Sequence, residues 1–144
     1  ALVQIFKGNV PIFFASEELA GFLECLDAQE TGAWVTGDSA AERYFVVENI
    51  NTIVACGGFY IPADESVATM VWGMVDNKFH KQGFGKLLLE YRIQQIKNIN
   101  SGIKILLDTT QFSAPFFEKL GFKTWKITED FYAKGLHRYD MELS

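Results

Sequence analysis

The sequence predicts a mixed α/β fold: one mostly antiparallel central sheet flanked by helices. Three observations predict it. Three β-rich runs follow one another in the first half. The second half alternates helical and strand periodicity. A glycine-rich turn then joins a strand to the longest helix. No repeat, low-complexity tract or linker divides the 144 residues, which read as one domain, residues 1–144.

The elements follow in order. Ser16, an expected N-cap with two acids behind it, opens a helix whose Leu19, Phe22, Leu23 and Leu26 share one face. Asn9 to Phe14 reads as a connecting segment, and Gly32 and Gly37 mark the loop after the helix. Arg43–Glu48 and Thr52–Ile61 form a hairpin about Asn49, Ile50 and Asn51. A turn at Pro62–Ser66 leads into a third strand, Val67–Val75. Gly85–Ile99 is helical, with Leu89, Ile93 and Ile96 on its apolar face. A buried strand, Ile103–Asp108, follows. The next helix is capped by Ser113, has Pro115 in its first turn and ends at Gly121. Phe122–Thr128 and His137–Leu143 close the sheet; in the latter Tyr139, Met141 and Leu143 alternate with charged residues.

Composition narrows the function. With 49% hydrophobic and 15% aromatic residues there is ample core material, and disorder is excluded. No apolar run approaches the ~18 residues of a spanning helix, and no secretory leader is legible, so a cytoplasmic location and no membrane partner are expected. Cys25 and Cys56 read as small core residues, and the scattered His and Cys give no metal-ligand spacing. A net charge of −5 argues against a nucleic-acid partner. The charge is unevenly spread: Lys78 to Lys104 carries six cations against the single acid Glu90. A local positive field therefore surrounds the glycine-rich turn, where an anionic ligand belongs.

That turn is Lys81-Gln82-Gly83-Phe84-Gly85-Lys86. The first amides of a helix lack intrahelical partners and carry the positive end of its dipole, so strand, glycine turn and helix start together make an anion site. Glycine lets the backbone adopt φ > 0 and approach a phosphate closely. A P-loop is excluded by His80 and Leu87, and a dinucleotide fingerprint by Leu88 in place of its third glycine. A tight turn required only for packing is the alternative reading.

Three blocks resemble the GNAT acetyltransferase family. Val75 through His80 to Gly83, Phe84 and Gly85 resembles its pyrophosphate motif, V-x-P-x-x-(Q/R)-x-x-G-x-(G/A). Phe116–Phe122 is similar to its F-Y-E-K-x-G-F helix, and Glu48 with Ile53–Gly58 to its second and third strands. The resemblance runs from about Arg43 to the C-terminus. It implies the GNAT-like fold, with the family's fourth and fifth strands, here Val67–Val75 and Ile103–Asp108, splayed apart and its first strand missing or very short. It implies acetyl-CoA as donor, with no metal. Pantetheine would pair with the backbone of Met74 and Val75, and pyrophosphate would sit on the amides of Gln82, Gly83, Phe84, Gly85 and Lys86, helped by Lys81. An amine of a small molecule or peptide would attack the thioester directly. The alternative is a non-catalytic acyl-CoA-binding or sensing module.

The match departs at several positions. His80 replaces Gln or Arg and is either a pH-sensitive contact or an exposed loop residue. Asn77 replaces Pro. Phe117 stands where many members carry a Tyr that protonates the leaving thiolate. Thr110, in place of Asn, retains a hydroxyl for the cofactor. No clear base is legible: Glu48 reads as structural, and Tyr132 and His137, with Asp130 on the expected final connection, are the candidates, against solvated loop residues or a water chain. The acceptor amine and oligomeric state are not fixed. A homodimer and an N-terminal truncation are both compatible with the sequence.

Overall fold

The computed structural model describes residues 1–10, 14–31 and 39–144. Its elements are α1 (Leu2–Gly8), a 3₁₀ turn (Ser16–Glu18), α2 (Leu19–Thr31), β1 (Ser39–Asn49), β2 (Thr52–Pro62) and β3 (Val67–Val75). A second 3₁₀ turn (Asn77–Phe79) precedes α3 (Phe84–Ile99), β4 (Lys104–Thr109), α4 (Ala114–Lys119), β5 (Lys123–Ala133) and β6 (Leu136–Leu143). The six strands form one sheet in the order β1-β2-β3-β4-β6-β5. All pairings are antiparallel except β3 with β4. The expected mixed sheet, its three-strand meander and both long helices are present. Among the described residues no strand precedes α2. Residues 11–13 of the expected connecting segment, and the loop glycines Gly32 and Gly37, lie outside the described residues.

Each face of the sheet is sealed by its own apolar cluster. On one side Leu89 and Ile96 of α3 and Ala114 of α4 pack on Phe59, Ile61, Ile105 and Met141. On the other, Ile5 and Phe6 of α1 and Phe22 of α2 pack on Cys56, Met74 and Trp72. The rings of Phe6 and Phe22 stack at 5.3 Å, and Phe22 lies 5.5 Å from Trp72. Such pairs add roughly 0.5–1.5 kcal/mol each beyond area burial, which fixes the start of α2 against β3. Both cysteines are free, Cys56 being buried.

Several local expectations need correction. Ser16 does not cap: Ala15 occupies the N-cap, and Glu18 reaches back to accept its amide at 2.8 Å. Leu23 is 45% exposed despite its helical spacing, while Phe22 is fully buried. Ser113 gives no side-chain cap to α4; Thr110 does the local work, its carbonyl accepting the amides of Ser113 and Ala114. Gly121 does take the left-handed geometry expected after a helix, with φ +100°. Asp130 and Tyr132 lie within β5 and His137 within β6, because pairing continues past Thr128 through an irregular register to Ala133–Leu136.

The β1–β2 hairpin closes through Ile50 and Asn51, both left-handed at φ 48° and 62°. Such a turn suits Asn and Gly, not a β-branched residue, and Ile50 is 88% exposed, so no packing compensates. Ile50→Asn should raise stability by about 1 kcal/mol, the strain of one left-handed residue, read as a higher urea midpoint with unchanged slope.

Candidate active site

The sheet parts at its centre. β3 and β4 pair only at Val67–Lys104, Ala68–Ile105 and Thr69–Leu106. Beyond Thr69, β3 diverges after a bulge in which Trp72 takes φ 46° and the register against β2 slips between Cys56 and Gly58. The bulge also flips the strand's faces: Met70 points to the α3 side, Trp72 and Met74 to the α1/α2 side. Asp76 donates its amide to Val54 at 2.7 Å. That bond makes Ala55–Val75 a narrow, non-hydrogen-bonded pair, so the backbone of Val75 faces away from β2 into the gap while Met74 bonds to β2. The Val75 carbonyl accepts from Asn9 Nδ2 at 2.9 Å and lies 2.8 Å from His80 Nε2. His80 therefore folds back onto the strand end rather than reaching over the glycine turn. The Val75 amide is the strand's offer to a ligand, and Met74 contributes its side chain.

Between the parted strands lies a cavity of about 650 Å³, within the range of small-ligand sites. Its mouth on the α3 side is the glycine turn. Gly83 is the N-cap of α3 at φ +87° with no side-chain cap, and a Cβ there would meet nothing within 4 Å. Lys81 is also left-handed, φ 63°. The first hydrogen bond into the helix is Leu87 to Gly83 at 3.0 Å, so the amides of Phe84, Gly85 and Lys86 have no partner among the described residues. A Cβ on Gly85 would make only ordinary contacts with Phe116 and Val75 at 3.5 Å, in keeping with the Gly-or-Ala tolerance of the motif. Lys81 and Lys86 line the mouth; Lys86 is 3.8 Å from Glu90 in an exposed pair. Gln82 is exposed, its amide directed at the Lys78 carbonyl at 3.5 Å, and Phe84 packs edge-to-face on Phe79 at 6.1 Å. Neither side chain lines the cavity.

The α4 wall is aromatic. Phe117 lines the cavity between Phe116, 5.1 Å away, and Phe122, 5.8 Å away. Thr110 lines it too but is 2% exposed, and its hydroxyl accepts the Phe112 amide at 3.3 Å.

The opposite wall, on the α2 side, carries carboxylates. Leu107 belongs to the core under α3 and α4, so its neighbour Asp108 faces the other way. Tyr132 donates to Asp108 Oδ2 in a very short hydrogen bond, and Arg138 Nη2 stands 3.9 Å from its other oxygen. Burial, then the Asp108 charge, pushes the Tyr132 phenol up, so it remains protonated at neutral pH and serves as a donor. Glu18, at the start of α2, also lines the cavity. Burial raises its carboxyl above the ordinary 4.5, partly offset by the Ala15 amide, with Asp108 and Glu17 adding repulsion. His137 does not join this wall: its Nδ1 accepts the Asp130 amide at 3.0 Å at the β5–β6 edge. Of the two side chains singled out for proton transfer, the cavity holds Tyr132 alone.

The cavity's charges are thus sorted by face. Lys81, Lys86 and Arg92 lie on the α3 side, Glu18 and Asp108 on the α2 side. Sequence reading missed Glu18, Asp108, Asn9 and Arg92 as site residues. None of the four carries a local sequence signal for that role. Among the described residues no group of His, Cys, Asp and Glu is arranged to hold a metal, and no helix is long and apolar enough to cross a membrane.

A mixed sheet parted at its centre, with a glycine turn and a helix start at the mouth of the gap, is the architecture of the GNAT-like acyltransferase class of folds. The acetyltransferase (GNAT) domain model matches residues 40–124, and the chain belongs to the GNAT acetyltransferase family. Solved structures agree on the fold. A Desulfovibrio desulfuricans protein described as an acetyltransferase of the GNAT family superposes with a TM-score of 0.76 at 19% identity, covering 99% of this chain and 89% of that one. The ribosomal-protein-S18-alanine N-acetyltransferase of Escherichia coli gives 0.63 at 23% identity, over 80% of this chain and 75% of that one. A Bacillus anthracis protein described as a streptothricin acetyltransferase, solved with acetyl coenzyme A, gives 0.63 at 19% identity, over 78% and 66%. No curated protein matches the sequence.

Proposed function

We propose that the chain transfers the acetyl group of acetyl-CoA to the nitrogen of a cationic amine, drawn from small molecules or peptides. The observation that carries this reading is the charge sorting of one continuous cavity: unpaired amides and cations on the α3 face, carboxylates on the α2 face. An anionic donor and a cationic acceptor would thereby approach the parted strands from opposite sides. The diphosphate would rest on the amides of Gly83 to Lys86, and pantetheine would pair with Val75, a short case of strand addition. Glu18 would take the ammonium proton; its raised carboxyl lies nearer the working pH than an ordinary one. Holding both reactants in line supplies much of the acceleration. A cytoplasmic location, where acetyl-CoA is available, is part of this reading.

Acetyl-CoA at 100 times its Kd should stabilise the fold by about 2.7 kcal/mol, read as a rise in melting temperature, followed by thiol release when amines are added. Gly83→Val should abolish the shift while the protein still melts cooperatively, at a somewhat lower temperature: the side chain would project into the open space above the turn, and φ +87° is strained for a β-branched residue. Absence of any shift at millimolar acetyl-CoA would sink the reading. Phe117, which has no proton to give, favours a second reading, a non-catalytic acyl-CoA-binding module. Cofactor binding without thiol release against any amine would establish that one.

A further inference from the structure

Arg92 is a buried cation with no counter-ion. It projects from α3, two turns in from the phosphate-binding end, and is only 4% exposed. Its Nη1 donates to the Gly58 carbonyl at 3.0 Å, while Nε is buried and has no partner. No carboxylate among the described residues pairs with it. The ionisable groups that act on it are Tyr44 and Cys56. The Tyr44 hydroxyl donates to Trp72, and burial holds both groups neutral at pH 7. The sequence has cleared space for this guanidinium. A Cβ on Gly73 would lie 2.7 Å from Nη2, and one on Gly57 3.1 Å from Nη1. Gly73 belongs to the bulge that opens β3, and Arg92 and Gly73 both line the cavity. A fixed positive charge therefore sits against the backbone where the strands begin to part, on the face from which the donor enters.

We propose that Arg92 stabilises the negative charge that develops on the thioester carbonyl oxygen during acyl transfer. The inference rests on the acyl-transfer reading above. In the step, the amine lone pair forms the C–N bond while the carbonyl π pair moves onto oxygen. The oxyanion then collapses, the C–S bond breaks, and CoA departs as its thiolate. The substrate ammonium gives one proton to Glu18 before attack; the second, released from nitrogen as the amide forms, is taken up by the departed thiolate to give the CoA thiol, and nothing is oxidised or reduced. The ground-state thioester is neutral and the intermediate is not, so a preorganised cation favours the intermediate selectively. An unpaired buried charge is otherwise costly to keep, and a methionine of similar length would fill the same space.

The test is kinetic. Thiol release from acetyl-CoA would be measured with tyramine and cadaverine as acceptors, and with water as acceptor where neither reacts, because hydrolysis passes through the same oxyanion. Arg92→Met should lower kcat about 100-fold while the KM for acetyl-CoA and the cofactor-induced melting shift change less than about threefold. Arg92→Lys, which keeps the charge and loses the fork, should recover about a tenth of the lost rate or more. Millimolar guanidinium added to Arg92→Ala should restore activity that it does not restore to Arg92→Met. A kcat within threefold of the starting protein in Arg92→Met overturns the proposal. So does a parallel collapse of kcat, cofactor binding and melting temperature with no rescue by lysine or guanidinium, the signature of a brace under the bulge. Should Arg92→Met fail to fold, Arg92→Lys decides: a kcat more than about 100-fold down with cofactor binding intact is the overturning result. If the starting protein itself binds no acetyl-CoA, the acyl-transfer reading fails and this proposal fails with it; binding with an unperturbed Arg92→Met rate removes this proposal alone.

Discussion

Gly58→Ala should be the most damaging single added methyl among the described glycines. A Cβ at that position would lie 2.2 Å from the Arg43 carbonyl oxygen and 3.1 Å from the Tyr44 Cα, both backbone atoms of the paired strand β1. A flexible side chain could swing aside; a hydrogen-bonded strand cannot, so the β1–β2 ladder must separate locally. The cost should reach about 3 kcal/mol, the upper end for overpacking a filled interior, which corresponds to a melting temperature about 10 °C lower in a domain of this size. The damage should also be functional, because the Gly58 carbonyl holds Arg92. Thermal denaturation monitored by circular dichroism decides it. A drop of less than about 3 °C would mean that the two strands have more freedom than their register implies. Gly85→Ala is the matched control: its added methyl would make only ordinary contacts, and its melting temperature should barely move.

The contrast between these glycines shows what a sequence discloses. Gly83 and Gly85 stood out because of their neighbours: a strand before, a helix after and lysines on both sides, all within a few residues. The proposed donor half of the site is local in the chain, so motif spacing and charge density point to it, and the opened sheet follows from the family. The proposed acceptor half draws on α2, β4 and β5, and nothing in the sequence near Glu18 or Asp108 signals that they share a cavity. Arg92 was hidden for a different reason. On a helical repeat beside Glu90 and Lys97 it reads as one more solvated cation, and only the absence of Cβ atoms on Gly57 and Gly73, distant in sequence, explains how it can be buried. The misplacement of Tyr132 and His137 on a connection has its own cause. β5 carries exposed and charged side chains through Asp130 because it is an edge strand with one open side, and that polarity resembles a loop. Ser16 lost the cap to Ala15 because Glu18 satisfies the helix start from within.

Glu18→Gln should separate catalysis from stability. If Glu18 receives the ammonium proton, the substitution should lower kcat/KM about 100-fold or more at neutral pH, the low end for a positioned base. The acid limb of the pH–rate profile should also disappear. In the starting protein that limb should lie above the ordinary carboxyl value of 4.5, since burial raises this group. Stability should move the other way. A carboxyl whose folded pKa exceeds its unfolded one favours folding in its protonated form. That contribution is complete below the unfolded value and is lost as pH rises through the folded one. At neutral pH the ionised Glu18 therefore burdens the fold, whereas a glutamine is neutral and its oxygen can still accept the Ala15 amide. The melting temperature of Glu18→Gln should equal or exceed that of the starting protein at pH 7, with the advantage shrinking toward pH 4. A variant slower and also less stable at pH 7 would assign Glu18 to capping α2 instead. A variant with an unchanged pH–rate profile would remove it from proton transfer. A slower but sturdier protein is the expected signature of a carboxylate held, at some cost to the fold, where an amine must lose its proton.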